Sequence, residues 1–189
     1  MTAAKHIELM SVEDYLAREE LALEKSEYLG GYVYAMAGAR NAHNLVATRL
    51  LVELSKRLEG GPCSAWNSDT KVRVRTNGYT YLYYPDASVV CDPNPGADVY
   101  HDRPVLVAEV LSPSTRRSDE GEKRIIYSQL PSMKLYLLLE QDECRVTVYR
   151  RTAEAFDLEA YSGLDSVIPL PELGIELPLE PLYRGIENA

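Results

Sequence analysis

Residues 84–123, YPDASVVCDPNPGADVYHDRPVLVAEVLSPSTRRSDEGEK, decide how this chain is read. Two apolar runs within it, Ala87–Cys91 and Pro104–Leu111, have the content of buried central strands. Asp86 opens the first, directly after Pro85. Glu109 lies inside the second, in VLVAEVL, with no other charge for several residues. A carboxylate in an apolar strand is costly unless it is paired or binds a metal. Two such acids on adjacent strands can point at one spot. Hard cations such as magnesium are held by one or two carboxylates together with substrate phosphates. The pattern therefore suggests a cation site for phosphate chemistry. An ion pair with Lys123 or Arg124 is the alternative role for Glu109.

The segment that follows predicts a helix from about Ser118 to Gln129. Asp119, Lys123 and Tyr127 stand at i, i+4 and i+8, on one stripe of one face. Short connections keep this helix beside the Glu109 strand. Lys123 can then stabilise negative charge developing on a phosphate or orient an attacking water. The preceding loop, SPSTRR, offers hydroxyls with Arg116 and Arg117 for a phosphate backbone. Asp119 also suits a helix N-terminus and a pair with Lys123. Tyr127 suits packing with a polar tip.

Upstream, Ser11-Val-Glu-Asp14 reads as an N-cap and acidic first turn, with a helix to about Glu20. Residues 27–36, EYLGGYVYAM, read as a hairpin about Gly30-Gly31. Asn41 to Leu58 is the clearest helix, with His43, Ala47, Leu50 and Leu54 on one face. Gly60-Gly61-Pro62 stops it. His43 is a core histidine or a supporting hydrogen-bond partner for an acid. Lys71, Arg73 and Arg75 alternate with Val72 and Val74 in a strand. That row is a solvated edge or a track for a phosphate backbone. Asn77-Gly78 turns the chain into YTYLYY. Downstream, MKLYLLLE (133–140) and CRVTVYRR (144–151) read as a strand pair. The tail has strand-like pieces, FDLEAY and SVIPL, among prolines that limit regular structure. This order implies one α/β (α+β) domain over residues 1–189, with a central mixed sheet flanked by helices. Its core spans about 11–150 and a C-terminal extension covers 152–189.

The chain has 189 residues, 46% hydrophobic and 26% charged, ordinary for a globular protein. Its formal net charge of −9 argues against coating nucleic acid non-specifically, which needs clustered Lys and Arg. A local basic site, or an acidic site that recruits a cation, remains open. No apolar run reaches the roughly 18 residues of a membrane span. The opening MTAAKHIELM lacks the apolar run of a secretory signal, so a cytoplasmic location is expected. Cys63, Cys91 and Cys144 form no CxxC pair and no metal spacing with the three histidines, so reduced thiols are expected.

Several of these segments in order resemble the Uma-two family of endonuclease-like proteins. Pro85-Asp86, Glu109-Val-Leu-Ser-Pro-Ser-Thr115, Asp119-Glu-Gly-Glu-Lys123 and Tyr127 carry the likeness. Glu27-Tyr-Leu-Gly-Gly31 resembles the family's "YELIDG" segment, His43 its usual histidine, and Asp69-Thr-Lys-Val-Arg73 its "DVR" strand. The matches cover about residues 11–150. The resemblance implies the restriction-endonuclease-like fold of the PD-(D/E)XK superfamily, with a four- or five-stranded mixed sheet. It implies a divalent metal, magnesium or manganese, on Asp86 and Glu109, with Glu27 close by. It also implies a nucleic-acid substrate, with DNA favoured, and frequent homodimers. The Val110 carbonyl is a plausible extra metal ligand. Two positions depart from the pattern. The superfamily lysine two residues after the second acid is replaced by Leu111, and Lys123 on the next helix would stand in for it. Where the family often has "EYW", this chain has Leu135-Tyr136-Leu137. A nuclease fold that binds without turnover and a small phosphate-ester hydrolase are the alternative functions.

Overall fold

In the computed structural model, residues 9–36, 38–153 and 155–186 are described. The segment MTAAKHIE, part of the stretch read above for a leader, lies outside them. Helix α1 (Val12–Glu20) is capped by Ser11, whose hydroxyl accepts the Asp14 N–H at 3.0 Å. Strands β1 (Ser26–Leu29) and β2 (Tyr32–Ala35) form the expected hairpin. Its turn needs both glycines, because Gly30 has φ +59° and Gly31 has φ +107°. Helix α2 (Asn41–Leu58) follows, then β3 (Ser64–Asn67), β4 (Lys71–Thr76), β5 (Tyr79–Tyr83) and β6 (Ala87–Val90). Between the two buried strands lies a two-residue strand, β7 (Tyr100–His101), before β8 (Pro104–Leu111).

One helix runs from Arg116 to Tyr127 in three parts: α3 (Arg116–Ser118), a π-helical turn (Asp119–Lys123) and α4 (Arg124–Tyr127). It begins and ends about two residues earlier than the sequence suggests. Strands β9 (Leu135–Glu140), β10 (Arg145–Arg151), β11 (Phe156–Ser162), β12 (Val167–Leu170) and β13 (Ile175–Pro178) complete the chain with helix α5 (Glu180–Tyr183).

The expected single central sheet is instead two sheets and a ribbon. A six-stranded sheet has the order β11-β10-β9-β8-β6-β3, and a five-stranded one has β2-β1-β5-β4-β7. The β12–β13 ribbon stands apart from both. The fold class is a mixed α+β architecture, as expected. In the six-stranded sheet β8 and β9 are parallel. Parallel neighbours require a crossover connection, and the 116–127 helix is that crossover.

Alternation along β8 separates the two faces of this sheet. Leu106, Ala108 and Val110 join the largest apolar cluster with Leu50 and Leu54 of α2. Val107 and Leu111 join a second cluster with Tyr83, Tyr127 and Tyr136. Glu109 shares the face of Val107 and Leu111 and is 3% exposed. The segment after residue 152 belongs to the core rather than hanging from it. Ile168, Leu170, Leu177 and Leu182 are fully buried in the largest cluster.

The cysteine reading is corrected. Cys63 and Cys91 form a disulfide. The cause is strand pairing: β3 and β6 are antiparallel with Ser64 opposite Val90, which sets the next residues outward, Cys63 and Cys91, across from each other. Cys144 is buried and outside the bridge. Among the described residues no helix is long and apolar enough to cross a membrane.

The bridge spans 28 residues of chain. A loop of that size is worth about 3–4 kcal/mol in the chain-entropy account. A Cys63→Ser variant is therefore expected to lower the urea midpoint of unfolding, and reductant should lower the wild-type midpoint comparably. A thiol count on unfolded, unreduced protein should find one thiol per chain; three would overturn the pairing.

Candidate active site

Five segments of the chain deliver the site. The antiparallel register pairs Ala87 with Ala108, so the preceding Asp86 comes alongside Glu109. Strand β6 has ended there, leaving the Val110 N–H without a strand partner on that side. Asp86 fills the gap: its Oδ2 accepts the Val110 N–H at 2.7 Å. His43, in the first turn of α2, places Nε2 3.2 Å from the same oxygen. Burial opposes the imidazolium, but the hydrogen bond and charge of Asp86 hold His43 above the usual histidine range.

The centre of the site is the ammonium of Lys123, 6% exposed. Its Nζ lies 3.1 Å from Glu109 Oε1, 3.2 Å from Asp119 Oδ1 and 3.3 Å from Glu27 Oε1. The crossover helix therefore brings an ammonium to the second acid, although Leu111 holds the usual strand position. Leu111 itself is buried in apolar packing. The π-helical turn spans Asp119 to Lys123, and such distortions recur at functional sites. Both of its end residues are buried.

The three acids around Lys123 are all pushed upward. Burial raises Glu27, Asp119 and especially Glu109, with Lys123 opposing the rise in each. Lys123 is itself raised. Burial works against its charge, but Glu109, Glu27 and Asp119 outweigh it. The physical statement is a surplus of negative charge. Four carboxylates (these three and Asp86) face one ammonium and, when protonated, the His43 imidazolium. Uncompensated charge of this kind in a buried place favours protonation or a cation.

Tyr127 completes the inner wall. It is fully buried, with its hydroxyl donating to Glu109 Oε1 at 3.4 Å. Its ring packs against Tyr83 and Tyr136 at centroid distances of 5.3 and 5.5 Å. Tyr136 stands where the family's "EYW" tyrosine is expected. Its hydroxyl donates to the Asp119 carbonyl at 3.0 Å, so it supports the π-helical turn. Sequence reading missed two supports. The Tyr84 N–H donates to Glu27 Oε1 at 3.2 Å, and the Tyr83 hydroxyl donates to Glu122 at 2.9 Å. Tyr84 could have been found from its place two residues before Asp86. Glu122 carries no such signal.

The basic residues are not gathered at this site. Lys71 is buried at 6% exposure and lies over the Tyr84 ring. Arg73 is held bidentately by Asp102, with both contacts at 2.7 Å, and stacks over Tyr100. Arg75 is exposed. The register puts all three on the face with Leu82, opposite the face that carries Glu27. They therefore form no exposed track beside the acids. Arg116 is paired with Glu140 and Glu120, and Arg117 is exposed. Among the described residues, no group of three or more His, Cys, Asp or Glu side chains is arranged to hold a metal.

With this geometry in hand, comparison with known proteins decides the family. The Uma2 family, described as "Putative restriction endonuclease", matches residues 12–180. The chain belongs to the Uma2 family. An uncharacterised protein of Synechocystis sp. is 35% identical over 179 residues, covering 94% of this chain and 93% of its own. A second Synechocystis protein, also uncharacterised, is 30% identical over 149 residues, covering 77% and 83%. Among solved structures, one described as a putative nuclease belonging to DUF820, from Anabaena variabilis, superposes with a TM-score of 0.70. It covers 94% of this chain and 99% of its own, at 17% identity, which establishes a shared fold. The match extends past residue 150 to strands β12 and β13, whose Ile168, Leu170 and Leu177 lie in the largest buried cluster.

Removing one member of a buried charge cluster leaves the others uncompensated, at a cost of about 3–5 kcal/mol. Lys123→Met is therefore expected to be strongly destabilising in urea unfolding. Glu109→Gln should be much milder, because Lys123 keeps Glu27 and Asp119. Equal losses from the two variants would contradict the charge surplus.

Proposed function

We propose that this Uma2 chain is a metal-dependent hydrolase of phosphodiester bonds in nucleic acid, with DNA as the leading substrate. The observation that carries the reading is the 3.1 Å approach of Lys123 to Glu109, beside Asp86, from a separate helix. An acid just before one strand, an acid within its paired neighbour and a nearby ammonium suit phosphoryl transfer to water.

Asp86 and Glu109 would hold a magnesium or manganese ion, with the Val110 carbonyl as a further oxygen. The donors fit such a cation. They are hard oxygens, and magnesium takes one or two protein carboxylates and completes its shell with water and phosphate. When bound, the ion would lower the pKa of a water and offset charge on the phosphate. The remaining roles belong to side chains. His43 and the Val110 N–H fix the Asp86 carboxylate. Glu27, held by the Tyr84 N–H, and Asp119 keep the Lys123 ammonium against Glu109. Lys123 is then placed to orient an attacking water or meet the charge that grows on a phosphate oxygen.

The second reading is a binding module of the same fold without turnover. The specific observation in its favour is that Glu27, Glu109 and Asp119 are all engaged by Lys123. A small phosphate ester is the alternative hydrolase substrate.

The test is cleavage of duplex, single-stranded and mononucleotide phosphates with magnesium or manganese. The hydrolase reading expects cleavage that a chelator abolishes. Asp86→Asn and Glu109→Gln should each remove nearly all of it, and Lys123→Gln should slow it about 10²- to 10³-fold. Metal-independent binding without cleavage would favour the module.

A further inference from the structure

A cavity of about 350 Å³ lies outside the candidate site, between helix α4 and strands β9, β10 and β11. The hydrolase reading does not use it. It is more enclosed than the grooves along α2 and the β12–β13 ribbon. Its floor is apolar and fixed: Tyr136 is 2% exposed and Met133 is fully buried. The Tyr136 hydroxyl is occupied by the Asp119 carbonyl, which leaves the ring to line the cavity. Strand register sets Tyr149 directly opposite Tyr136, and the two rings lie 6.3 Å apart with 29° between their planes. Phe156 of β11 adds a third ring. Such walls suit a flat conjugated ring, which gains offset or edge-on contacts in addition to buried area. The volume is at the small end for ligand sites, so it admits one compact ring system and not a polymer.

Arg124 is the charged residue of the lining. Its guanidinium lies over the Tyr149 ring at 5.1 Å, and its Nε donates to the Glu120 carbonyl at 3.0 Å. The half-buried Arg73, Arg116 and Arg150 are each held by a carboxylate. Among the described residues Arg124 has no such partner, and its two terminal nitrogens meet no acceptor. They present the fork that grips a carboxylate or a phosphate bidentately. Beside this single cation, Ile125 stays 55% exposed on the same wall. An anion attached to an apolar ring answers both features, and neither a cation nor a polar chain does.

We propose that this cavity binds a small planar aromatic acid, with its ring among Tyr136, Tyr149 and Phe156 and its anionic group on Arg124. A nucleoside monophosphate and an aromatic carboxylate share that chemistry. The site is separate from the acids around Lys123 and stands whether or not they hydrolyse phosphodiesters.

The experiment is isothermal titration in the presence of chelator with three probes: naphthoate, its neutral counterpart naphthamide, and thymidine monophosphate. The variants are Arg124→Gln, Tyr149→Leu and Tyr149→Phe, with circular dichroism to confirm folding. Wild type should bind naphthoate about tenfold more tightly than naphthamide. Arg124→Gln should weaken naphthoate about tenfold and leave naphthamide unchanged, a split that lost packing would not produce. Tyr149→Phe should bind as wild type does, whereas Tyr149→Leu should weaken both naphthalene probes. Tighter binding of thymidine monophosphate assigns the site to nucleotides, and tighter binding of naphthoate assigns it to aromatic carboxylates; either supports the cavity. Should Arg124→Gln fail to fold, the difference between naphthoate and naphthamide on wild type decides. Four results overturn the proposal: no binding of either anion, naphthamide bound as tightly as naphthoate, naphthoate binding unchanged in folded Arg124→Gln, or anion binding lost in Asp86→Asn instead, which would seat the anion at the candidate active site.

Discussion

The buried ammonium of Lys123 is the constraint around which this half of the molecule is organised. Three carboxylates lie within 3.3 Å of it, and each comes from a different element: the hairpin, strand β8 and the π-helical turn. None of those acids would be tolerated at its depth alone, since burial has already pushed all three upward. The lysine makes their burial possible, and they make its charge possible. Such clusters are seldom the cheapest way to stabilise a fold, because apolar residues of similar volume often do as well.

Topology explains why the ammonium arrives from a helix. The parallel β8–β9 pair needs a crossover, and the crossover passes over the face that carries Glu109. A lysine on that helix reaches the acid as directly as one on the strand would. Leu111, where the strand lysine of the wider superfamily would sit, then becomes available for packing. The exchange moves a charge from one element to another and keeps its end point. Tyr127 and Tyr136 follow from the same placement, filling the space between helix and sheet with rings whose hydroxyls reach Glu109 and the Asp119 carbonyl.

Several features were legible because they are local. Ser11 as a cap, the Gly30-Gly31 and Asn77-Gly78 turns, helix α2 and the apolar strands β6, β8 and β9 each carry their signal within a few residues. Asp86 and Glu109 stood out by being charged in apolar surroundings. Strand β3 did not, since Ser64-Ala-Trp-Asn67 is short and largely polar, and only pairing with β6 makes it a strand. The Cys63–Cys91 bridge was hidden for the same reason. For the basic row of β4, alternation identifies a face without saying what covers it. Asp102 lies 29 residues from Arg73 in sequence yet occupies its guanidinium.

The sequence by itself determined helices α1 and α2, the glycine turns, the apolar strands and the family pattern, and it singled out Asp86 and Glu109, because periodicity, turn chemistry and isolated charges are written in neighbouring residues. Tertiary structure alone decided that the strands divide into two sheets and that residues after 152 enter the core. It alone brought Glu27, Asp119 and Glu109 to one ammonium. Those outcomes depend on cross-strand register and on which faces meet. Both are set by contacts between residues far apart in the chain, which no local pattern records.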